Sequence, residues 1–213
     1  MTTRWFAIVC LLIGCRSELA PPAGSADDLA RYLRGVTAMD ATTRATEISG
    51  WMIDEARWRR IVVSADHELW RDYVRAFDDA APSLAAQLGG AGEITTRRHY
   101  AGDPRLTRSQ GRLRWAVPVL YPSMVAELAG RPVDTVFVHD GTRWRALAGL
   151  DAVVLARARA LDAACAERLA LAGPTGRCTE VGWLVADAAV RGDLARFARG
   201  CGLAATLCGN PSP

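Results

Sequence analysis

Lysine is missing from this sequence of 213 residues, and asparagine occurs once, at Asn210. All 26 basic residues are therefore arginines, against 23 acidic residues, and the formal net charge is only +3. This abundance of arginine is a bias of composition, so it does not by itself indicate nucleic-acid binding. The sequence also lacks a basic cluster interleaved with aromatic residues. We therefore expect no nucleic-acid partner.

Catalytic and metal-binding motifs are lacking as well. The three histidines, His67, His99 and His139, are far apart and do not have the spacing of metal ligands. The sequence contains no GxSxG, no HExxH and no phosphate-binding glycine loop. We therefore assign no catalytic residue, no metal site and no cofactor.

The apolar run near the start of the chain is too short to cross a membrane. Residues Trp5–Ile13 form nine consecutive apolar positions after Arg4. As a helix they would rise only about 14 Å, roughly half the thickness of a bilayer. A charged residue, a short apolar run and a small residue are typical of a secretory signal peptide.

The end of this run, Leu12-Ile13-Gly14-Cys15, resembles the lipobox of bacterial lipoproteins. The resemblance implies that residues 1–15 are a signal segment and that Cys15 carries a lipid in an extracytoplasmic location. In a Gram-negative host, Arg16 in place of Asp after the cysteine implies the outer membrane, facing the periplasm or the cell surface. The alternative is an ordinary secretory signal with a chance cysteine. Residues 16–24 contain two prolines and read as a tether.

Four further cysteines lie in the last quarter of the chain, at Cys165, Cys178, Cys201 and Cys208. An even, clustered set is typical of disulfides in an oxidising compartment. Zinc is the alternative, but no pair has CxxC spacing and no histidine lies among them.

The pairing follows from three antiparallel helices with turns near Gly173-Pro174 and Gly192. On this arrangement Cys165 and Cys201 differ by about 3 Å in height, whereas Cys165 and Cys208 differ by about 13 Å. We predict the bridges Cys165–Cys201 and Cys178–Cys208, unless Gly200 and Gly202 break the third helix.

Helical patterns dominate the first part of the folded chain. Ser25 with Asp28 predicts a capped helix, residues 40–49 are ambiguous, and residues 51–63 favour a second helix. Ser64 is expected to cap the strongest helix, which Pro82 kinks or restarts and Gly89-Gly90 ends. Its apolar stripe consists of Trp70, Tyr73, Val74, Phe77 and Ala81.

After residue 93 the pattern changes to alternation. Strands are predicted over 94–100 and 113–120, and residues 123–128 are either a strand or a helical turn. Asp140-Gly141 predicts a two-residue, type I′ hairpin that pairs His139 with Thr142 and Phe137 with Trp144. After Leu150 the helical pattern returns and continues to Ala172.

The expected fold class is α+β. N-terminal helices pack on an antiparallel β-meander over residues 25–149, and a disulfide-bonded helical subdomain follows over 150–213. The order of helices and strands, with Asp140, Gly141 and Trp144 in the last hairpin, resembles the SnoaL-like or nuclear-transport-factor-like cone fold. That resemblance implies a small-ligand or lipid carrier, or an enzyme, although no catalytic motif of the family can be matched here.

Arginines are concentrated in the sheet segment, where acids are few. If several share one face, they form a surface that pairs with phosphate or carboxylate groups of an anionic lipid or glycan. The alternative is the solvated face of a sheet. The candidate residues are Arg97, Arg98, Arg112, Arg114, Arg143 and Arg145, with Arg105 and Arg108 in the same segment.

These observations favour a lipid-anchored, extracytoplasmic binding or interaction module without enzymatic activity. Its expected partners are the membrane, through Cys15, an anionic lipid or glycan, and an envelope protein. One alternative is a hydrolase-like envelope enzyme, with a pocket between the sheet and the helix that carries Trp70, Tyr73 and Phe77. A second alternative is a purely structural component of the envelope.

Overall fold

The computed structural model describes residues 23–62, 67–90, 92–99, 108–109, 112–113, 123–133, 135–171 and 176–208. The signal segment and Cys15 lie outside these residues. The helices are α1 (Ala26–Thr37), α2 (Ala41–Ser49), α3 (Glu55–Ile61), α4 (His67–Leu88), α5 (Leu150–Leu161), α6 (Ala163–Leu171), α7 (Gly176–Arg191) and α8 (Leu194–Leu207). The strands are β1 (Ile94–His99), β2 (Arg108–Ser109), β3 (Arg112–Leu113), β4 (Ser123–Leu128), β5 (Arg131–Pro132), β6 (Phe137–His139) and β7 (Trp144–Ala146).

Side-chain caps fix where the first three helices begin. Ser25 caps α1 by accepting a hydrogen bond from the Asp28 N–H at 3.1 Å, as the sequence predicts. Asp40 accepts from two backbone N–H groups of the first turn, so the ambiguous segment 40–49 is helical. The helix predicted over 51–63 is too long, because the cap of α3 is Asp54. Trp51 to Asp54 is instead a non-helical connection.

The longest helix is α4, whose buried stripe consists of Leu69, Tyr73, Phe77, Leu84 and Leu88. It continues through Pro82 rather than restarting there. Proline removes the N–H that would bond to the carbonyl of Asp78, but both residues are exposed. Water can therefore satisfy that carbonyl. The expected cap, Ser64, lies outside the described residues.

The main sheet is antiparallel, with the order β1-β4-β6-β7 and with β5 paired to β4. β4 is the undecided segment 123–128, and it pairs with β1 from Ile94↔Leu128 to His99↔Ser123. Most of the strand predicted over 113–120 lies outside the described residues, as does the turn at 102–104. α1 packs on β1 and β4, and α4 contacts α1, α2 and α5.

The last hairpin has a different register from the predicted one. His139 pairs with Trp144, and Phe137 pairs with Ala146, so the predicted Phe137–Trp144 pair is wrong. The Asp140 N–H donates to the Arg143 carbonyl at 3.0 Å, which makes Gly141-Thr142 the two-residue loop. The observed partner of Phe137, Ala146, is two residues beyond the predicted partner, Trp144. Side chains alternate between the two faces of a strand, so Phe137 and Trp144 still lie on the same face, and both are buried.

The predicted type I′ turn is also wrong at this position. Gly141 has φ +97°, but Thr142 does not have a positive φ, whereas type I′ requires positive φ at both central residues. Two consecutive positive φ values occur instead at Ala129 (+50°) and Gly130 (+76°), which join β4 to β5.

The C-terminal part is helical and carries both predicted disulfides. Cys165 is bonded to Cys201 and Cys178 to Cys208, with Cα–Cα distances of 5.5 and 5.0 Å. The single helix predicted over 150–172 is two helices, because Asp162 accepts a hydrogen bond from the Cys165 N–H at 2.9 Å and starts α6. α8 continues through its two glycines.

The buried side chains of both parts form one contiguous cluster. Leu150, Val153 and Val154 of α5 belong to it, together with the core of the α+β part. α5 contacts α4 on one side and α6 and α7 on the other. The helical part is therefore packed onto the sheet-containing part rather than joined to it by a free linker.

Candidate functional site

The hairpin β6–β7 is held by a polar network centred on Asp140. Its side chain, fully buried, accepts hydrogen bonds from the N–H groups of Thr142 and Arg143 and from Arg145 Nε at 2.6 Å. Burial alone would raise the pKa of Asp140. A hydrogen bond from the Thr142 hydroxyl, together with those from Arg145 and the two N–H groups, outweighs burial and holds the pKa well below its usual range. Asp140 is therefore a permanent anion that fixes the loop.

Arg145 completes this network from the other side. Its Nη1 donates to the carbonyls of Gly50 at 2.8 Å and Met52 at 3.1 Å. These two hydrogen bonds join the hairpin to the connection between α2 and α3. The Arg145 side chain is only 7% exposed. Arg145 is a structural cation here and does not lie on an open anion-binding face.

The other candidate arginines do not form one surface among the described residues. Arg97 and Arg98 are consecutive on β1, so they point to opposite faces of the sheet. Arg97 is half-buried and Arg98 is exposed. Arg143 is exposed on the hairpin loop. Arg112 lies in β3, and Arg105 and Arg114 are outside the described residues.

The chain enters the domain beside the same hairpin. Asp28 accepts hydrogen bonds from the Gly24 N–H and from the Trp144 indole N–H, both at 3.0 Å. Gly24 is so close to His139 that a Cβ built on it would be 3.3 Å from the His139 Cβ. The end of the tether is therefore fixed at the hairpin end of the sheet.

A second polar cluster, which sequence patterns do not show, joins α1 to α2. The Tyr32 hydroxyl donates to the Glu47 carboxylate, and the Trp51 indole N–H donates to the same hydroxyl at 2.6 Å. Burial and the neighbouring carboxylate both raise the pKa of Tyr32. The phenol therefore stays protonated and serves as a hydrogen-bond donor rather than as a base.

The aromatic side chains of α4 pack on one another and on Trp58 of α3. Trp58 stacks on Tyr73 with ring centroids 4.4 Å apart, and Tyr73 also contacts Trp70 and Phe77. The Tyr73 hydroxyl donates to the Ala146 carbonyl of β7 at 3.0 Å. Side chains thus fill the contact between α4 and this part of the sheet, where the enzyme hypothesis requires a pocket.

Histidines do not converge with other chemical groups in the part of the chain that the structure describes. His67 is exposed and lies 3.2 Å from the Glu55 carboxylate through its Nδ1. His139 packs edge-on against Trp144. Three or more metal-binding side chains do not cluster anywhere among the described residues.

Open concave surfaces lie elsewhere. One groove, between α4 and α5, contains two adjoining cavities of about 350 and 470 Å³. Another, of about 590 Å³, crosses the Cys165–Cys201 bridge and includes the exposed Leu161 and Leu194. A cleft of about 440 Å³ lies between the end of α4 and the β4–β5 turn.

Known proteins add no assignment to these features. Searches of protein-family models, of curated proteins and of solved structures find no match to this chain. The resemblances to a lipobox and to the cone fold therefore remain predictions. Of the helices that the structure describes, none is long and apolar enough to span a bilayer.

Proposed function

We propose that this chain is an extracytoplasmic lipoprotein whose folded part is a non-enzymatic binding or interaction module. The observation that carries the proposal is the pair of disulfides in the C-terminal helices. Structural disulfides form and persist in oxidising compartments outside the cytoplasm. An exported protein with the sequence Leu12-Ile13-Gly14-Cys15 near its start is a candidate for lipid attachment at Cys15.

The entry point of the tether limits how far the hairpin end of the domain can lie from the proposed anchor. Eight residues lie between Cys15 and Gly24, so nine Cα–Cα steps join them. Even fully extended, they span about 30 Å. Because Gly24 is hydrogen-bonded to Asp28 and lies against His139, the hairpin end of the domain stays within that distance of the lipid. In a host with two membranes, we place the domain at the outer membrane, facing the periplasm or the cell surface.

The distribution of polar and apolar groups supports binding rather than catalysis. Asp140 and Arg145 are fully engaged with each other and with the backbone, and Tyr32 is held protonated. Large apolar side chains are exposed on the C-terminal helices instead, including Leu194 at 62%. Leu161 and Leu194 line the same groove, and exposed apolar residues that lie together are typical of protein or lipid contact surfaces. An envelope protein and an anionic lipid or glycan remain the candidate partners.

Lipid attachment is tested by Cys15→Ser in a bacterial host grown with a radiolabelled fatty acid. We expect the variant to lose the label and to appear in a soluble extracytoplasmic fraction. Cys10→Ser is the matched control. Cys10 lies inside the apolar run, so the variant should still carry the label on Cys15. A label retained by Cys15→Ser would contradict the proposed anchor.

The compartment is tested separately by trapping free thiols in whole cells before lysis. We expect Cys165, Cys178, Cys201 and Cys208 to resist alkylation unless a reductant is added. Free thiols on all four in the native host would exclude an oxidising location, whatever the result for Cys15.

A further inference from the structure

The cleft at the end of α4 is lined by apolar residues and by one cation. Leu128, Pro132 and Val133 contribute the β4–β5 side, and Ala86 contributes the helix side. Arg131 also lines the cleft. Its volume, about 440 Å³, is within the range of about 300–1,000 Å³ usual for small-molecule sites.

The register of β4 with β5 determines which charges face this cleft. Leu128 is paired with Arg131, and paired residues of an antiparallel ladder lie on the same face. Arg131 therefore shares the face of Leu128. Glu127, the acidic neighbour of Leu128 on β4, is paired with Pro132 but does not itself line the cleft. Arg131 forms no ion pair with any of the residues that the structure describes.

The helix end at this cleft would normally repel an anion, because the C-terminal end of a helix dipole is negative. Arg44 offsets that effect. Its Nε donates to the Ala85 carbonyl at 3.2 Å, and a Cβ built on Gly89 would be 2.7 Å from its Nη2. A second cation thus caps the last turn of α4. The exposed Glu93 is the acidic residue nearest in sequence to this helix end.

The wall formed by the β4–β5 turn is rigidly placed. The Ala129 N–H donates to the Glu93 carbonyl at 2.7 Å. A Cβ built on Gly92 would be only 2.9 Å from the Ala129 Cβ, so the turn presses directly on the start of β1. A ligand would find this wall already formed, which lowers the entropy cost of binding.

We propose that this cleft binds an alkyl carboxylate. The alkyl chain lies along Leu128, Pro132 and Val133, and the carboxylate pairs with Arg131, whose guanidinium can bind both oxygens. This site is independent of the lipid anchor, because it lies at the end of the sheet opposite to the hairpin from which the tether leaves.

The test is isothermal titration calorimetry with decanoate on the full chain carrying Cys15→Ser, which removes the covalent lipid as a competing occupant. We expect one molecule of decanoate to bind, and decanol, with the same chain but no charge, to bind about tenfold more weakly. Acetate, with the charge but no chain, should give no measurable binding. Equal affinities for decanoate and decanol would overturn the assignment of the carboxylate to a cation.

Substitutions then locate the site. Arg131→Gln should weaken decanoate about tenfold and leave decanol unchanged, whereas the matched control Arg98→Gln, an exposed arginine of β1, should change neither. Gly90→Leu should fill the cleft, because a Cβ built there meets only ordinary contacts, with the Gln87 carbonyl and Leu128 both at 3.6 Å.

We expect Gly90→Leu to keep the melting temperature of the parent protein and to lose binding of both probes. Unchanged decanoate affinity in both Arg131→Gln and Gly90→Leu, or no saturable binding by the parent protein, would refute the proposal. Neither outcome would affect the lipid-labelling result for Cys15.

Discussion

Replacing Gly149 with alanine should be among the most damaging single-methyl changes in this protein. Gly149 precedes α5 with φ +78°, and its carbonyl accepts the first hydrogen bonds of that helix. A Cβ built on Gly149 would lie 2.3 Å from the Ala76 carbonyl oxygen of α4. This is a collision with backbone, which a side-chain rotation cannot relieve.

The size of the effect can be estimated against a matched control. Gly130 has nearly the same φ, +76°, but a Cβ built there meets nothing within 4 Å. Left-handed backbone costs a non-glycine residue about 1–2 kcal/mol. The lower entropy of the unfolded alanine chain returns about 0.4–1 kcal/mol. Gly130→Ala should therefore destabilise the protein by about 1 kcal/mol, within a range of about 0–1.6 kcal/mol.

Gly149→Ala carries the same backbone cost together with the forced separation of α5 from α4. Overpacking of this kind typically costs about 1–3 kcal/mol, so we expect a total near 2–4 kcal/mol. The assay is urea unfolding followed by tryptophan fluorescence, with the disulfides intact. Adding Ala76→Gly should not rescue the variant, because the collision involves the Ala76 backbone. Equal losses for Gly149→Ala and Gly130→Ala would refute the argument.

Three further changes test other parts of the structure by the same unfolding assay. Gly141→Val should cost about 1–3 kcal/mol, because φ is +97° and the space around it is open, so only the backbone is strained; an unchanged midpoint would argue against this turn. Ala129→Asn should stabilise the protein by about 0.5–1 kcal/mol, because asparagine tolerates left-handed φ better than alanine; a loss of stability would contradict that. Burial raises the pKa of Asp28, but hydrogen bonds that include those from the Gly24 N–H and the Trp144 indole outweigh it and lower the pKa below its ordinary value of 3.8. Because the folded pKa is the lower one, the contribution of Asp28 is complete above the unfolded pKa and is lost as the pH falls below about 4. Asp28→Asn should therefore be less stable than the parent at neutral pH, and the difference should shrink in acid; a constant difference would contradict the lowered pKa.

The sequence predicted the start of α1 correctly, because the Ser25 oxygen reaches an N–H group three residues ahead. Asp40 caps α2 in the same way, although the pattern of residues 40–49 was ambiguous. The disulfide pairing was predictable because helix rise fixes the relative heights of the cysteines once the turns are placed. The buried face of the last hairpin was also predictable, because a register shift of two residues leaves each side chain on the same face of its strand.

Long-range contacts decided what the sequence left open or misassigned. The hairpin register depends on Asp140, which engages the Arg143 N–H and also Arg145, itself bonded to Gly50 and Met52 some ninety residues earlier. The strand identity of residues 123–128 likewise depends on partners on both sides. Arginines that look alike in the sequence therefore differ in role: Arg145 is buried in a network and Arg131 lines a cleft.

The sequence by itself determined the α+β class, the capped start of α1 and the disulfide pairing, because each depends on spacing along the chain. Only the tertiary structure decided that the aromatic residues of α4 pack on one another, that Arg145 is structural, and that a cleft lined by Arg131 lies at the β4–β5 turn. The physical reason is that burial, charge pairing and the close approach of two backbones depend on which distant segments meet. Spacing along the chain does not specify those encounters.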